Sequence, residues 1–242
     1  MSLATSTSLP TLLFAAFAAV SLAGCGLATA IDGDTSRRTE DREVPADGIR
    51  VVDVDTDNGA IEISGGAGDE ITIRSVLREQ NDGDADATVR VDDDRLVITG
   101  ECDDRWWNRC SVGFVVTVPS KVDVRVATDN GRVRAAGLDG DVSIETDNGA
   151  IEATELRAAA VITETDNGRI HLTFAEPPDS VRAHTDNGSV VVQLPDDGTR
   201  FAVDAHSDNG DVDLDVAVDP DAERLIVART DNGAIDIRHR TP

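Results

Sequence analysis

Aspartate residues recur at one place in a short motif repeated along this 242-residue chain. The motif is Thr/Ser-Asp-Asn-Gly, and Ile or Val follows after one further residue. Its seven copies begin at Thr56, Thr128, Thr146, Thr165, Thr185, Ser207 and Thr230. If the copies stack, the last six carboxylates form a column that could hold hard cations such as Ca²⁺ or Na⁺: Asp129, Asp147, Asp166, Asp186, Asp208 and Asp231. The alternative is a ladder of Asx-turns with stacked Asn amides and no specific ion, which we favour.

The spacing of the copies indicates the elements that would position this column. From the second copy onward the intervals are 18, 19, 20, 22 and 23 residues, which is typical of stacked β-repeats. Apolar residues lie two and four positions before each Thr/Ser, and five and seven positions after it. This period of two on both sides predicts strand, tight turn and strand with one buried face. Asn and Gly suit such a corner because both tolerate positive φ.

One copy alone fits either a hairpin or a solenoid corner. The nearly constant period, with 3 % aromatic residues and no Tyr, favours an all-β fold, a single β-solenoid of about twenty-residue coils. The alternative is a β-meander sandwich. Residues 64–120 break the period, and a solenoid needs its first coil covered. We therefore assign 49–120 as an N-terminal β cap that includes the first repeat, and 121–240 as the repeat solenoid.

The N-terminus is predicted to direct export. Residues 11–23 are apolar or small and too short to span a bilayer, so 1–24 is interpreted as a signal peptide. Leu22-Ala23-Gly24-Cys25 resembles the lipobox of prokaryotic lipoproteins, whose cysteine carries lipid, although an ordinary signal peptide with a chance Cys remains the alternative. We expect a membrane anchor on Cys25, a flexible tether over residues 25–48 and a folded part that faces the cell exterior.

The other two cysteines enclose the least repetitive segment. Outside the cytoplasm Cys102 and Cys110 are most simply a disulfide. The loop between them carries four candidate recognition residues, which are Arg105, Trp106, Trp107 and Arg109. A braced aromatic pair with arginines would suit a glycan or a protein ligand. Alternatively, the rings fold back over the solenoid end as a plug.

The composition excludes some partners. The formal charge is −25, from 47 acidic and 22 basic residues. An acidic chain with one lysine resembles proteins of salt-adapted, halophilic organisms, where salt screens the repulsion. This charge argues against nucleic acid as a partner. His184, His206 and Glu164 could share an outer column, but solvated histidines are favoured over a surface metal site.

The seven corners and the Ile/Val column after them resemble the exported "putative adhesin" domains of unknown function of bacteria and archaea. The segment Gly113-Phe114-Val115-Val116-Thr117-Val118-Pro119 is similar to the one that precedes the coils in that family. The resemblance implies a non-catalytic, lipid-anchored β-solenoid that acts as an adhesive or structural module, with no cofactor unless Ca²⁺ binds the column. The alternatives are a lyase-like β-helix enzyme acting on polysaccharides and a calcium-binding repeat protein.

Overall fold

The computed structural model describes residues 35–80, 84–102 and 109–240, and the assignments below refer to these ranges. Seven strands lead into the repeated corners: β2 (Val51–Asn58), β8 (Asp123–Asn130), β10 (Val142–Thr146), β12 (Ala160–Asn167), β14 (Ser180–Asn187), β16 (Ala202–Asn209) and β18 (Leu225–Asn232). Seven lead out of them: β3 (Ile61–Gly66), β9 (Val133–Ala136), β11 (Ile151–Leu156), β13 (Ile170–Phe174), β15 (Val190–Leu194), β17 (Val212–Asp215) and β19 (Ile235–His239). The remaining strands are β1 (Thr35–Pro45), β4 (Glu70–Gln80), β5 (Ala85–Asp92), β6 (Arg95–Cys102) and β7 (Arg109–Pro119).

The repeats form a β-solenoid, as the sequence predicted. Within the described ranges the strands make two sheets. The lead-in sheet has the order β16-β18-β14-β12-β10-β8-β2-β6-β5, and the lead-out sheet has the order β1-β4-β7-β3-β9-β11-β13-β15-β19-β17. All pairs between coils are parallel and join equivalent residues, so that Thr165, for example, lies opposite Thr146 and Thr185. A β-meander would pair successive strands antiparallel, and that alternative is wrong.

The last two coils do not stack in chain order. β18 lies between β14 and β16, and β19 lies between β15 and β17. The final coil is therefore inserted below the coil that precedes it in sequence. The final coil carries Ile226 and Ile235 where the preceding one carries Val203 and Val212. Burying the two extra methylene groups favours the inserted order by about 1.5 kcal/mol.

The other end of the solenoid is closed by antiparallel strands. β4 pairs with β7 and β5 pairs with β6, so these four strands extend both sheets beyond the first coil. β1 adds to β4 along all eleven of its residues. The tether predicted over residues 25–48 is thus wrong for residues 35–45. This segment has no apolar alternation because it is an edge strand, held by ladder hydrogen bonds and by ion pairs such as Arg74–Asp41 at 2.7 Å.

The core is the narrow space between the two sheets. It is filled by the alternating Val, Ile, Leu and Ala side chains, and three Phe residues are also fully buried: Phe114, Phe174 and Phe201. The corner Thr residues face the same interior, with Thr165 and Thr185 at most 1 % exposed. This inward position agrees with the alternation in the sequence, because the apolar residues two and four positions earlier lie on the same face of the strand. Six of the seven corners therefore begin with a buried hydroxyl that needs a hydrogen-bond acceptor, and Ser207 is partly buried.

Candidate functional site

The corner hydroxyls bond one coil to the next. Thr165 Oγ1 donates to the carbonyl oxygen of Gly149 at 3.0 Å, and Thr185 Oγ1 donates to that of Gly168 at 3.0 Å. Thr230 and Ser207 make the same contact at 2.9 and 2.8 Å. In these four corners the acceptor is the Gly of the neighbouring coil, whereas Thr56 of the first copy donates to the carbonyl oxygen of Val112 in the cap. The hydroxyl of the motif is thus used to hold coils together.

The corner glycines are required by the close approach of backbones. A Cβ added to Gly168 would lie 1.8 Å from the carbonyl oxygen of Gly149, and one added to Gly149 would lie 1.8 Å from that of Gly131. Our expectation of positive φ at the corner Asn is wrong, since in the described residues the only non-glycine positions with positive φ are Asp93 and Glu155. The stacking of coils, rather than the turn itself, selects glycine here.

The corner asparagines form a continuous ladder of amides along the solenoid. Each Nδ2 donates to the Oδ1 of the next coil at 3.0–3.1 Å. The order along the ladder is Asn209, Asn232, Asn187, Asn167, Asn148, Asn130 and Asn58. This is the arrangement of stacked amides that we favoured over a cation column.

The six candidate Asp residues share one row, because the Thr before and the Asn after each of them are paired between coils. Their order at the end is Asp186, Asp231 and Asp208, following the inserted coil. Two of them contact histidine: His184 Nε2 lies 3.2 Å from Asp186 Oδ1, and His206 Nε2 lies 2.9 Å from Asp208 Oδ1. In the part of the chain that the structure describes, no three His, Cys, Asp or Glu side chains are arranged to hold a metal ion.

The outer column expected for His184, His206 and Glu164 is interrupted. Glu164 is paired with His184, but Arg229 of the inserted coil lies between the two histidines. The two histidines do not belong to neighbouring coils, because coil order does not follow chain order. A guanidinium between two imidazoles disfavours a metal cation at this place.

One carboxylate in the corner region has a shifted pKa. Partial removal of water around Asp55 raises its pKa above 3.8, and the nearby charges of Asp57 and Asp129 raise it further. On the cap, Arg74 does the opposite to Asp41, since its hydrogen bond lowers the pKa of that carboxyl below 3.8. Burial, and after it the two corner carboxylates Asp57 and Asp129, therefore make negative charge on Asp55 unfavourable.

The predicted recognition loop is only partly described. Cys102, at the end of β6, is joined by a disulfide to Cys110, at the start of β7, with 5.7 Å between their Cα atoms. We call this bond the cap disulfide. Arg105, Trp106 and Trp107 lie outside the described residues, as does the side chain of Arg109. The described backbone places Cys102 and Cys110 at the capped end, where β6 and β7 belong to different sheets.

The opposite end of the solenoid carries a surface that the sequence did not suggest. There β16 and β17 are the last strands of the two sheets. The inward-facing side chains of Val212 and Leu214 are 39 % and 44 % exposed, whereas their neighbours Ile235 and Ile237 are at most 1 % exposed. We call this coil, residues 201–219, the open end. Its alternation is like that of the buried coils, so only the observed coil order reveals its exposure.

The fold and the stacked corners define the chain as a parallel β-solenoid repeat protein with an antiparallel cap. The family model described as Toastrack DUF4097 matches residues 42–238. The chain belongs to this family of unknown function, which confirms the resemblance drawn from its corners.

Two solved structures are similar to the chain. A putative cell adhesion protein from Clostridium sporogenes has 12 % identity and a TM-score of 0.45 over 85 % of this chain and 100 % of that one. A putative adhesin from Bacteroides fragilis has 16 % identity and a TM-score of 0.30 over 85 % of this chain and 98 % of that one. No functionally curated protein matches the sequence. Among the described residues, no helix is long and apolar enough to cross a membrane.

Proposed function

We propose that this protein is an exported, non-catalytic β-solenoid, anchored to the membrane by lipid on Cys25, that serves as an adhesive or structural module at the cell surface. The observation that supports it is the use of the repeated polar residues. The hydroxyl, amide and glycine of each corner are engaged in contacts between coils. A repeat whose polar groups are consumed in this way builds a rod, and recognition falls to surfaces outside the repeat.

In this proposal the rod presents the loop between Cys102 and Cys110 to its ligand. The two Trp residues supply aromatic area for a glycan or a protein, and the flanking arginines supply hydrogen-bond donors. The family neighbours named as adhesion proteins are consistent with such a role. The binding experiment below distinguishes a glycan ligand from a protein ligand.

The test is binding of purified protein to immobilised cell-surface glycans and to whole cells. Replacing Trp106 and Trp107 by Ala is expected to abolish binding while the unfolding temperature stays within about 2 °C. A matched control is Val91→Ala, which changes an apolar side chain on the cap that is 54 % exposed. Equal loss in the control, or unchanged binding by the double variant, would reject the loop as the recognition site.

Anchoring and catalysis need separate measurements. Cys25→Ser is expected to stop incorporation of labelled lipid and to move the protein from the detergent phase to the aqueous phase. Incubation with acidic polysaccharides, with and without Ca²⁺, is expected to give no unsaturated products, and their appearance would contradict the non-catalytic assignment.

Calcium binding to the Asp row is tested by thermal unfolding in Ca²⁺ and in chelator. A specific site at 100 times its dissociation constant would add about 2.7 kcal/mol. For a chain of this size that corresponds to a rise of roughly 5–10 °C. We expect no such rise, because amide and hydroxyl contacts between the coils already hold the row in place.

A further inference from the structure

We propose that the open end binds a basic, extended segment of a partner protein, which adds to β17 as a further strand and covers the exposed core. This inference goes beyond the proposed function, since it concerns the end of the sheets opposite to the cap disulfide. β6 and β16 are separated by seven strand spacings in the lead-in sheet, or roughly 34 Å. Three features of the open end support the proposal.

The first feature is an unsatisfied hydrogen-bonding edge. In a parallel ladder, alternate residues bond to opposite neighbours. The amide nitrogen of Ile235 in β19 donates to the carbonyl oxygen of Asp211, so residues 211, 213 and 215 point their main-chain groups at β19. The main-chain groups of Val212 and Leu214 then point away from the sheet. Such an edge is a template for strand addition.

The second feature is apolar area on the same residues. Val212 and Leu214 also direct their side chains to the interior, where each inner coil has a neighbour on both sides. Here one neighbour is absent from the described residues, which leaves them 39 % and 44 % exposed. A strand that adds at this edge therefore gains hydrogen bonds and apolar contact from the same two residues. Its inward-facing positions must be aliphatic.

The third feature is charge, which identifies the partner. The open end, residues 201–219, contains six Asp and no Glu, Lys or Arg, and Arg200 just before it pairs with Asp219. Asp204 on β16 is paired with Arg229. Asp213 and Asp215 on β17, and Asp211 just before it, have no ion-pair partner among the described residues. A strand beside β17 would place its outward side chains next to these carboxylates. Lys or Arg at alternate positions is the complement.

The same charge argues against a second copy of this chain as the occupant. Two open ends brought together would bring the six aspartates of one copy against the same six of the other. Carboxylates that face each other at strand spacing repel by about 1 kcal/mol per pair even in water. Lys or Arg at alternate positions on the added strand would instead pair with these carboxylates. The acidic edge thus selects against self-association and for a basic partner.

The probe is a fluorescently labelled, terminally blocked seven-residue peptide that alternates Arg and Val. Its charge-reversed control alternates Glu and Val. Fluorescence polarisation of each peptide, titrated with the full chain, is expected to show binding of the Arg peptide only. Raising the salt from 0.05 to 0.5 M should weaken this binding at least tenfold, because the charges are solvent-exposed. Hydrogen exchange should show new protection at the amides of Val212 and Leu214. Binding of both peptides alike, or protection elsewhere, would overturn the proposal.

The variants separate the edge from its charge. Leu214→Pro removes an N–H that faces the open edge and leaves the ladder to β19 intact, as proline tolerates edge positions. This variant should weaken binding of the Arg peptide at least tenfold, with little change in the unfolding temperature. Should that variant unfold, the double change Asp213→Asn with Asp215→Asn keeps the backbone and should weaken binding at least fivefold.

The matched control is Asp147→Asn with Asp166→Asn, which removes the same charge from the middle of the rod and should leave peptide binding unchanged. Equal effects of the two pairs would show non-specific attraction to an acidic surface and would reject the site. A dimer in sedimentation that Leu214→Pro dissociates would also overturn the proposal, in favour of a second copy. The Trp106 and Trp107 variant should bind the peptide normally, which keeps this test independent of the recognition loop.

Discussion

Gly168→Ala tests the close stacking of the corners, since the glycine is packed against the coil below. The added Cβ would lie 1.8 Å from the carbonyl oxygen of Gly149 and 2.6 Å from its carbonyl carbon. Carbon and oxygen atoms of adjacent strands normally approach no closer than about 3.3 Å. The two coils must therefore move apart by more than 1 Å at this corner, and both atoms belong to the backbone, which cannot rotate away.

The cost can be worked from the contacts that this separation stretches. Four hydrogen bonds join the coils there: Thr165 Oγ1 to Gly149 O at 3.0 Å, Asn167 Nδ2 to Asn148 Oδ1 at 3.0 Å, Asn167 N to Asp147 O at 2.8 Å and Ile151 N to Arg169 O at 2.9 Å. At about 1 kcal/mol each, the loss is about 4 kcal/mol. The unfolding temperature should then fall by roughly 8–16 °C.

The assay is thermal unfolding followed by circular dichroism in the β region. The matched control is Gly68→Ala, because a Cβ at Gly68 has only one neighbour within 4 Å, the amide nitrogen of Glu70 at 3.9 Å. This control should unfold within about 2 °C of the parent protein. If Gly168→Ala also unfolds within that range, the coils are not in backbone contact at the corner and the reasoning fails.

Four further perturbations address the amide ladder, Asp55 beside the corners, Asp41 on the cap and the cap disulfide. Asn148→Ala removes two amide hydrogen bonds and should lower the free energy of unfolding by about 1 kcal/mol at this exposed position. Asn58→Ala at the end of the ladder removes one and should lower it by about half as much, as measured by urea unfolding. Equal losses would contradict a continuous ladder. The raised pKa of Asp55 means that its ionised form weakens the fold, so Asp55→Asn should stabilise the protein at pH 7 and have no effect well below pH 3.8. The lowered pKa of Asp41 means that its ionised form stabilises the fold, so Asp41→Asn should destabilise the protein at pH 7 and lose this effect once the pH falls below the folded-state pKa of Asp41. Stability changes of the same sign in the two Asp variants would refute both assignments. Replacing both cysteines of the cap disulfide by Ser should cost about 2.5 kcal/mol from the loop of nine residues that it closes; an unchanged urea midpoint would show that the bond does not constrain the cap.

Most of the architecture could be predicted from the corner motif. Alternation on both sides of each Thr predicts which residues are buried, and a constant interval predicts that like residues share rows. The alternation of buried and exposed residues is a local property of each strand, so the sequence alone predicts it. The Asn row followed from the same register, and the amide ladder was one of two arrangements that the row allowed.

Coil order could not be read from the motif. The coils that begin at Ser207 and Thr230 carry the same corner and the same alternation, so each fits the position above the coil of Thr185. The choice depends on small differences in burial, such as Ile226 against Val203. The open end depends on that choice and was missed with it.

β1 and the reason for glycine were also missed. β1 has charged residues on both faces and is recognised only through its partner β4, which is remote in sequence. The close approach at Gly168 arises between coils and has no counterpart within one corner, so the turn alone suggested positive φ. Contacts between distant segments explain both differences.

The most direct test of the stacked, non-sequential solenoid is disulfide cross-linking between corner positions. Cysteines at Asn187 and Asn232 would lie on adjacent, paired strands, within the Cα separation of 4.4–6.8 Å that a disulfide needs. Cysteines at Asn187 and Asn209 would be two strand spacings apart, or roughly 9.6 Å, and out of reach. Mass spectrometry after mild oxidation should find the bond 187–232 and not the bond 187–209. The reverse result would place the coils in chain order, and the absence of both bonds would contradict the stacking on which the account depends.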